Sequence, residues 1–208
     1  MISPVKIQHL QAAISYDQYS ELIEDLVAQN STTGPNQSES MIGYTRLNSQ
    51  RMKRVYKTTK ILPELAQAVA KITIPSYWIV LTEAWCGDAA QSIPVLSKLA
   101  DLGDNIELKL LLRDEHLDLM TKYLTDGARA IPKLVWMAKE NFQEVATWGP
   151  RPAPAQELLK SYKGNPEETY DQFSEKLQRW YNQDKTETLQ LELLSMIARA
   201  ITLEKTLS

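Results

Sequence analysis

The stretch that decides the fold is Trp85-Cys86-Gly87-Asp88-Ala89, together with the run 77–82 that precedes it. Residues 77–82 are apolar or β-branched without interruption, which is typical of a strand buried on both faces. Residues 87–102 follow a helical pattern that closes at Gly103. Cys86, the only cysteine in the chain, is therefore predicted to lie where a buried strand turns into a helix.

The segments that follow this turn predict the rest of a sheet. Residues 106–112 indicate a second buried strand, and residues 116–124 indicate a short helix. Two more strands are predicted over 134–137 and 144–148, and the gap between them has hairpin length, which indicates antiparallel pairing. This order of strands and helices is that of a mixed α/β sheet with helices on both faces.

Helical segments are also predicted on both sides of this α/β region. Those before it cover residues 15–29, 45–60 and 62–72. Those after it start at Asn165-Pro166, where a capping residue precedes a proline, and at Thr186.

The predicted organisation is a core with helical extensions at both ends. We assign residues 1–75 to an N-terminal helical extension, 76–162 to the core and 163–208 to a C-terminal helical extension. The apolar stripes of the extensions need a partner surface, because large apolar side chains are costly to leave in water. We therefore expect one compact unit, and a homodimer contact is left open.

Composition excludes several classes of protein. The chain has 208 residues and a net charge of −3, which argues against bulk nucleic-acid binding. No apolar run has the length of a membrane span, and the first residues lack the pattern of a signal peptide. An unpaired thiol fits a reducing compartment, so a cytoplasmic location is predicted. Because His9 and His116 are far apart in the sequence, we predict no metal site.

Residues 76–162 resemble the thioredoxin fold family. The resemblance is carried by Trp85-Cys86-Gly87 after a strand, Pro94 in the next helix, Ile131-Pro132 before the third strand and Gly149 after the last. Trp-Cys-Gly-Asp-Ala is also similar to the motif of a bacterial thioredoxin-like subgroup with a single active-site cysteine. The resemblance implies a thioredoxin-like mixed sheet flanked by helices, with Cys86 as the catalytic thiol. It also implies a substrate groove lined by Ile131, Pro132 and Gly149.

The charge around Cys86 is mixed. Backbone N–H groups at a helix start favour the thiolate, so we expect an accessible thiol that reacts faster than a free thiol compound at neutral pH. Asp88 and Glu83 oppose the thiolate, although Asp88 also suits the first turn of a helix. Arginines that could offset these acids or hold an anionic ligand are Arg129, Arg113 and Arg151. Trp85 and Gly87 complete the supporting residues.

The chain departs from the family pattern at two positions. Ala89 occupies the place of the second cysteine of a two-thiol redox site, and Val80 stands where the family often has a buried aspartate. A mixed disulfide on Cys86 therefore has no internal thiol to release it. This predicts a single-thiol redox protein rather than an efficient dithiol reductase, with turnover as a thiol–disulfide oxidoreductase left open. The expected partners are a protein with a thiol or disulfide, or a low-molecular-weight thiol, and no cofactor is predicted.

Two other functions remain open at this point. The first is a redox-inactive binding module that holds a peptide or a small anion in the groove beside Ile131-Pro132. The second is a metal cluster shared between two subunits, as in single-cysteine glutaredoxins. Those proteins have a Cys-Gly-Phe-Ser motif, whereas Gly87-Asp88-Ala89 follows Cys86 in this chain, so this function ranks last.

Overall fold

The computed structural model describes residues 3–207, and its centre is a sheet of four strands. The strands are β1 (Ser76–Thr82), β2 (Ile106–Leu112), β3 (Lys133–Ala138) and β4 (Glu144–Trp148). They lie in the order β2-β1-β3-β4, with β1 parallel to β2, β3 antiparallel to β1 and β4 antiparallel to β3. The prediction of a mixed α/β sheet is confirmed, including the hairpin of its last two strands.

Helices flank this sheet. The helices before it are α1 (Ile7–Ala12), α2 (Tyr16–Ala28), α3 (Glu39–Thr58) and α4 (Pro63–Ala70). Within the sheet order lie α5 (Gly87–Ala100) and α6 (Leu117–Met120), which is shorter than the helix predicted over 116–124. The chain ends with α7 (Ala153–Lys163), α8 (Tyr170–Asp184) and α9 (Glu187–Leu207). Within residues 3–207, no helix has both the length and the apolar character needed to cross a bilayer.

The centre of the core is β1, which lies between two strands and under helices. Ile79, Val80 and Leu81 are fully buried, as the continuous apolar run predicts. Burying a side chain of this size stabilises the fold by about 1.5–3 kcal/mol. β1 therefore gives a rigid base to the turn that carries Cys86.

The two last helices pack in different places. Helix α9 contributes Leu193 and Ile197 to the main core, where both are fully buried. Helices α7 and α8 form a second, smaller apolar cluster, which we call the α7–α8 cluster; its buried members are Ala155, Phe173, Leu177 and Tyr181. The tail is thus divided between the main core and this cluster.

The start of α8 differs from the sequence prediction. The helix begins at Tyr170 rather than at Asn165-Pro166, because Thr169 caps it. The Thr169 hydroxyl accepts a hydrogen bond from the backbone N–H of Gln172 at 3.3 Å, and the Gln172 side chain accepts one from the Thr169 N–H at 2.9 Å. This reciprocal capping box, and not Asn165-Pro166, therefore sets the start of α8.

Candidate functional site

Cys86 is the residue through which the chain enters α5. Its extended backbone (φ −81°, ψ 114°) makes it the N-cap of that helix. Its Sγ donates a hydrogen bond to the carbonyl oxygen of Ile131 at 3.3 Å, and the Ile131–Pro132 peptide bond is cis. The thiol therefore lies at a helix N-terminus and against the backbone that precedes Pro132.

The thiol of Cys86 is buried and protonated. Only 7% of the residue is exposed, and burial raises the pKa of the thiol to about 12, with the Asp88 carboxyl adding to the rise. The backbone N–H groups of Ala89 and Asp88 and the charge of Arg151 lower this pKa, but burial outweighs them. The expectation of an accessible thiol is therefore wrong, because the residue is buried, whereas its rate of reaction stays a prediction.

Asp88 connects three parts of the chain. Its Oδ2 accepts hydrogen bonds from Nε and Nη2 of Arg151 at 2.9 and 2.5 Å, and its Oδ1 accepts one from the Tyr181 hydroxyl at 2.6 Å. Burial raises the pKa of the Asp88 carboxyl, while Arg151 and Tyr181 act to lower it. The side chain thus fastens α5 both to the segment after β4 and to α8.

Helix α8 covers the side of α5 on which Cys86 lies. Besides the Tyr181 bond, Gln178 of α8 accepts a hydrogen bond from Gln91 of α5 at 3.0 Å. A methyl group on Gly87 would lie 3.3 Å from Nε2 of Gln178, so glycine at this position permits the close approach of α8. The residue after the thiol is therefore part of the contact with the covering helix.

A cavity of about 280 Å³ remains between α3, α5 and α8, with Cys86 in its wall. Helix α3 contributes Tyr44 and Arg51, and α8 contributes Phe173 and Leu177. Ligand pockets in proteins are typically about 300–1,000 Å³, so this cavity has room for a small molecule.

The lining of this cavity is strongly basic. Its arginines are Arg51, Arg113, Arg129 and Arg151, and Asp88 is the acid among the described lining residues. The guanidinium of Arg113 lies 4.9 Å from the centre of the Trp85 ring and pairs with Asp114 at 2.8 Å. The site therefore combines one thiol with an excess of positive charge.

A family model described as Thioredoxin matches residues 34–163, which is more than half of the chain. The chain belongs to the thioredoxin family. The matched region starts ahead of the sheet and includes α3, so Arg51 and Tyr44 lie in the same thioredoxin-family region as Cys86.

Two solved structures share the fold with this thioredoxin-family chain. A protein of unknown function from Pseudomonas aeruginosa has a TM-score of 0.61 and 17% identity, over 96% of this chain and 99% of that one. An HIV epitope scaffold has a TM-score of 0.50 and 17% identity, over 89% of this chain and 98% of that one. At such identities the likeness concerns the fold alone. No curated protein matches the sequence.

The predicted groove residues of the thioredoxin-family site lie in two places. Ile131 lines the cavity beside Cys86 and is 4% exposed. Gly149 instead lines a neighbouring cleft together with Trp148. It has φ +115°, and a Cβ there would lie 2.3 Å from the carbonyl oxygen of Pro132, so only glycine fits. Pro132 and Gly149 thus contact each other, while Ile131 contacts the thiol.

The predicted supporting residues Glu83 and Arg129 also lie in different places. Glu83 is fully buried, and its carboxylate accepts a hydrogen bond from the backbone N–H of Asp114 at 2.8 Å. Burial raises the pKa of Glu83, while the hydroxyl of Thr33 and that N–H lower it. Arg129 is exposed at the rim of the cavity. Glu83 therefore holds the loop at Asp114, whereas Arg129 faces the site.

Several residues of the site were missed by sequence reasoning. Tyr181 and Gln178 of α8 were predicted only as parts of a tail helix, and Arg51 only as part of a helix in the N-terminal extension. The available signal for Arg51 was that residues 45–60 carry basic side chains and no acid. For α8, the signal was an apolar stripe in need of a partner surface.

The two histidines, distant in sequence, are neighbours in the structure. The rings of His9 and His116 lie 5.6 Å apart, and Nε2 of His9 is 3.1 Å from Oδ2 of Asp118. Nδ1 of His9 accepts a hydrogen bond from the Lys6 backbone N–H at 3.0 Å, so Nε2 carries the proton and donates it to Asp118. His9 and Asp118 are thus joined by a hydrogen bond, with the His116 ring packed against that of His9.

Proposed function

We propose that this thioredoxin-family protein is a single-thiol redox protein that forms a reversible mixed disulfide on Cys86. The observation that carries the proposal is the position of its Sγ at the start of α5, 3.3 Å from the Ile131 carbonyl oxygen and in the wall of a cavity. Backbone N–H groups of Asp88 and Ala89 there favour the thiolate, which is the form that attacks a disulfide.

The reaction is a thiol–disulfide exchange. Cys86 loses its proton, and the thiolate attacks one sulfur of a disulfide RSSR. A bond forms between Cys86 and SR as the S–S bond breaks, and the leaving RS⁻ takes up a proton. Cys86 is oxidised, and one half of the substrate is reduced to RSH. Because Ala89 replaces a resolving cysteine, an external thiol must attack the adduct, leave as part of a new disulfide and return Cys86 to the reduced form.

The raised pKa of Cys86 sets the rate of this exchange. Because burial raises the pKa of the Cys86 thiol to about 12, the thiolate is a very small fraction of the folded protein at pH 7. Exchange therefore depends on a movement that hydrates the sulfur, and α8 forms one wall of the cavity beside it. The resting protein thus holds Cys86 as the protonated thiol, and an outward movement of α8 is the step that we expect to hydrate the sulfur.

The test is to treat the protein with a small disulfide and to locate the adduct by mass spectrometry. We expect one RS group on Cys86, no adduct on the Cys86→Ser variant, and no insulin reduction above background, because Ala89 cannot release the mixed disulfide. The matched variant Ala89→Cys should form an internal disulfide on oxidation and lose the RS adduct. Unmodified Cys86 after prolonged treatment, or efficient insulin reduction by the unaltered chain, would contradict the proposal.

A second candidate is a binding module that holds a small anion without redox chemistry. It is favoured by the raised pKa of the Cys86 thiol and by the basic lining of the cavity. The peptide form of this function is disfavoured because Ile131 is only 4% exposed. A metal cluster shared between subunits is disfavoured because Cys86 is buried within its own chain and only 7% exposed. Binding of an anion without any adduct on Cys86 would decide for this candidate.

A further inference from the structure

We infer that the cavity beside Cys86 binds a small molecule with at least two anionic groups, held by Arg51 and Arg129. If Cys86 also exchanges disulfides, as the proposed function states, the substrate is a small anionic thiol or its disulfide. This assignment of a sulfur-containing substrate rests on the proposed function. The anion-binding half rests on the cavity alone.

The size of the cavity argues for a small molecule. At about 280 Å³ it is near the lower end of the range for ligand pockets. Its walls come from α3, from α8 and from the segment around Ile131, and Cys86 and Ile131 are both less than 9% exposed. A polypeptide strand therefore cannot pair with the Ile131 backbone while α8 is in place. One half of a small disulfide fits.

The arginines of the cavity differ in how far they are already engaged. Arg113 directs Nε and Nη2 to Asp114 and Nη1 to the carbonyl oxygen of Arg129 at 3.2 Å. Arg151 uses Nε and Nη2 on Asp88, while its Nη1 is buried without a partner among the described residues. The charge of each of these two guanidinium groups is thus paired with an acid of the protein.

Arg51 and Arg129 are the free cations of the site. Nη1 of Arg51 donates to the neutral side chain of Asn48 at 2.9 Å, and within residues 3–207 neither Arg51 nor Arg129 pairs with an acid. A methyl group on Gly87 would lie 3.6 Å from Nη1 of Arg51, which places this charge beside the residue that follows Cys86. Burial and the charge of Arg54 lower the pKa of Arg51, and a bound anion would relieve that repulsion.

The two free arginines come from different walls. Arg51 projects from α3, and Arg129 lies at the rim, just before Ile131. A ligand whose sulfur meets Cys86 can therefore place one anionic group on each guanidinium. Guanidinium groups bind carboxylates and phosphates with paired hydrogen bonds, which makes this arrangement selective for a molecule with two separated anionic groups.

The test compares three small disulfides of different charge: oxidised glutathione (anionic), bis(2-hydroxyethyl) disulfide (neutral) and cystamine (cationic). For each disulfide, the rate of adduct formation on Cys86 is measured for the folded chain and divided by the rate for the same chain unfolded in urea. This ratio removes the differences in intrinsic reactivity among the three disulfides. We expect this ratio to be at least about tenfold larger for oxidised glutathione than for cystamine, and to fall with added salt. Equal ratios, or a preference for cystamine, would overturn the inference.

Variants assign the effect to the cavity. Arg51→Gln and Arg129→Gln should each reduce the preference about threefold or more. Arg46→Gln is the matched control, because Arg46 lies on the same helix, is exposed and donates to Asn30 at 2.8 Å. It removes the same charge and should leave the preference unchanged. A loss as large in Arg46→Gln as in Arg51→Gln would show a general charge effect and overturn the assignment.

A binding measurement separates this inference from the proposed function. S-methylglutathione cannot exchange, so its binding to the Cys86→Ser variant, measured by calorimetry, reports the anion site alone. Binding that is lost in Cys86→Ser/Arg51→Gln supports the inference even if Cys86 never forms an adduct. Adduct formation without such binding, and without a charge preference, would overturn the inference and leave the single-thiol function intact.

Discussion

Helix α9 packs in the main core and helix α8 in the α7–α8 cluster, and the two are held in different ways. Leu193 and Ile197 of α9 are fully buried in the main core, whereas Phe173, Leu177 and Tyr181 of the α7–α8 cluster are 4–7% exposed. Helix α8 reaches α5 through polar contacts such as that from Tyr181 to Asp88. We therefore expect α9 to secure the fold and α8 to limit access to the thiol.

This difference has a physical consequence for opening. Parts of a protein that rest on few buried apolar side chains and on polar contacts open at a lower free energy than the whole molecule. Helix α8 meets this description, and the sheet does not. Access of solvent to Cys86 should therefore follow the local opening of α8, well before global unfolding. Variants in α9 and in α8 should therefore differ in how they change stability and in how they change access to Cys86.

The largest effect is expected in the main core. Leu193→Ala in α9 removes a fully buried side chain and should lower the free energy of unfolding by about 2–5 kcal/mol. Urea unfolding followed by circular dichroism measures it. The rate of Cys86 alkylation under native conditions should change little, because α8 stays in place. Two outcomes would contradict the idea that α9 determines stability and α8 determines access to Cys86. They are a loss of stability under 1 kcal/mol, or a rise in the alkylation rate larger than that in the α8 variants.

A smaller effect is expected at the contact that fastens α8 to α5. Asp88→Asn removes a carboxyl that raises the pKa of the Cys86 thiol and frees Arg151 to lower it. Because the folded thiol has a raised pKa, its alkylation rate in the unaltered chain should increase with pH up to about 12. In the variant this profile should shift to lower pH by about one unit or more, which makes alkylation at pH 8 about tenfold faster.

Tyr181→Phe is the matched control for this change. It removes the hydrogen bond from α8 and leaves the Asp88 carboxyl and its bond to Arg151 in place. A general loosening of α8 should speed alkylation at every pH without moving the midpoint of the profile. If Tyr181→Phe shifts the midpoint as far as Asp88→Asn does, the shift arises from hydration of the sulfur and not from the carboxyl.

The smallest effect is expected inside the α7–α8 cluster. The rings of Tyr162 in α7 and Phe173 in α8 are stacked at 4.8 Å. Tyr162→Ala removes this pair and should lower the free energy of opening of α8 by about 0.5–1.5 kcal/mol. Opening of α8 and alkylation of Cys86 should therefore become about 2- to 10-fold faster. Hydrogen exchange should show the same gain in α8 amides and none in β1. Equal gains in β1 would mean that α8 does not open by itself.

The fold was predictable because its signals are local. The uninterrupted apolar run 77–82 predicts a strand buried on both faces, and the short gap between residues 137 and 144 predicts the hairpin. The start of α8 was mispredicted because Asn165-Pro166 and Thr169 offer competing start signals. The reciprocal bonds between Thr169 and Gln172 decide between them, and their strength is visible only in the structure.

The environment of the thiol could not be predicted in the same way. The position of Cys86 at a helix start follows from the sequence, but the sign of its pKa shift depends on what covers it. The walls around it include α3 and α8, which lie far from Cys86 in the sequence, and local patterns do not specify where distant amphipathic helices dock. The contact between Asp88 and Tyr181 is likewise long-range, and so is the approach of Arg51 to Gly87.

The short connection between α1 and α2 also protects the outer edge of the sheet. Ile14 exchanges two backbone hydrogen bonds with Leu110 of β2, at 2.9 and 2.8 Å. The edge of β2 would otherwise present unpaired backbone groups beside a leucine-rich segment, which is a template for intermolecular strand pairing. Shortening the chain from its N-terminus past Ile14 therefore removes a safeguard against aggregation, at a point far from the thiol.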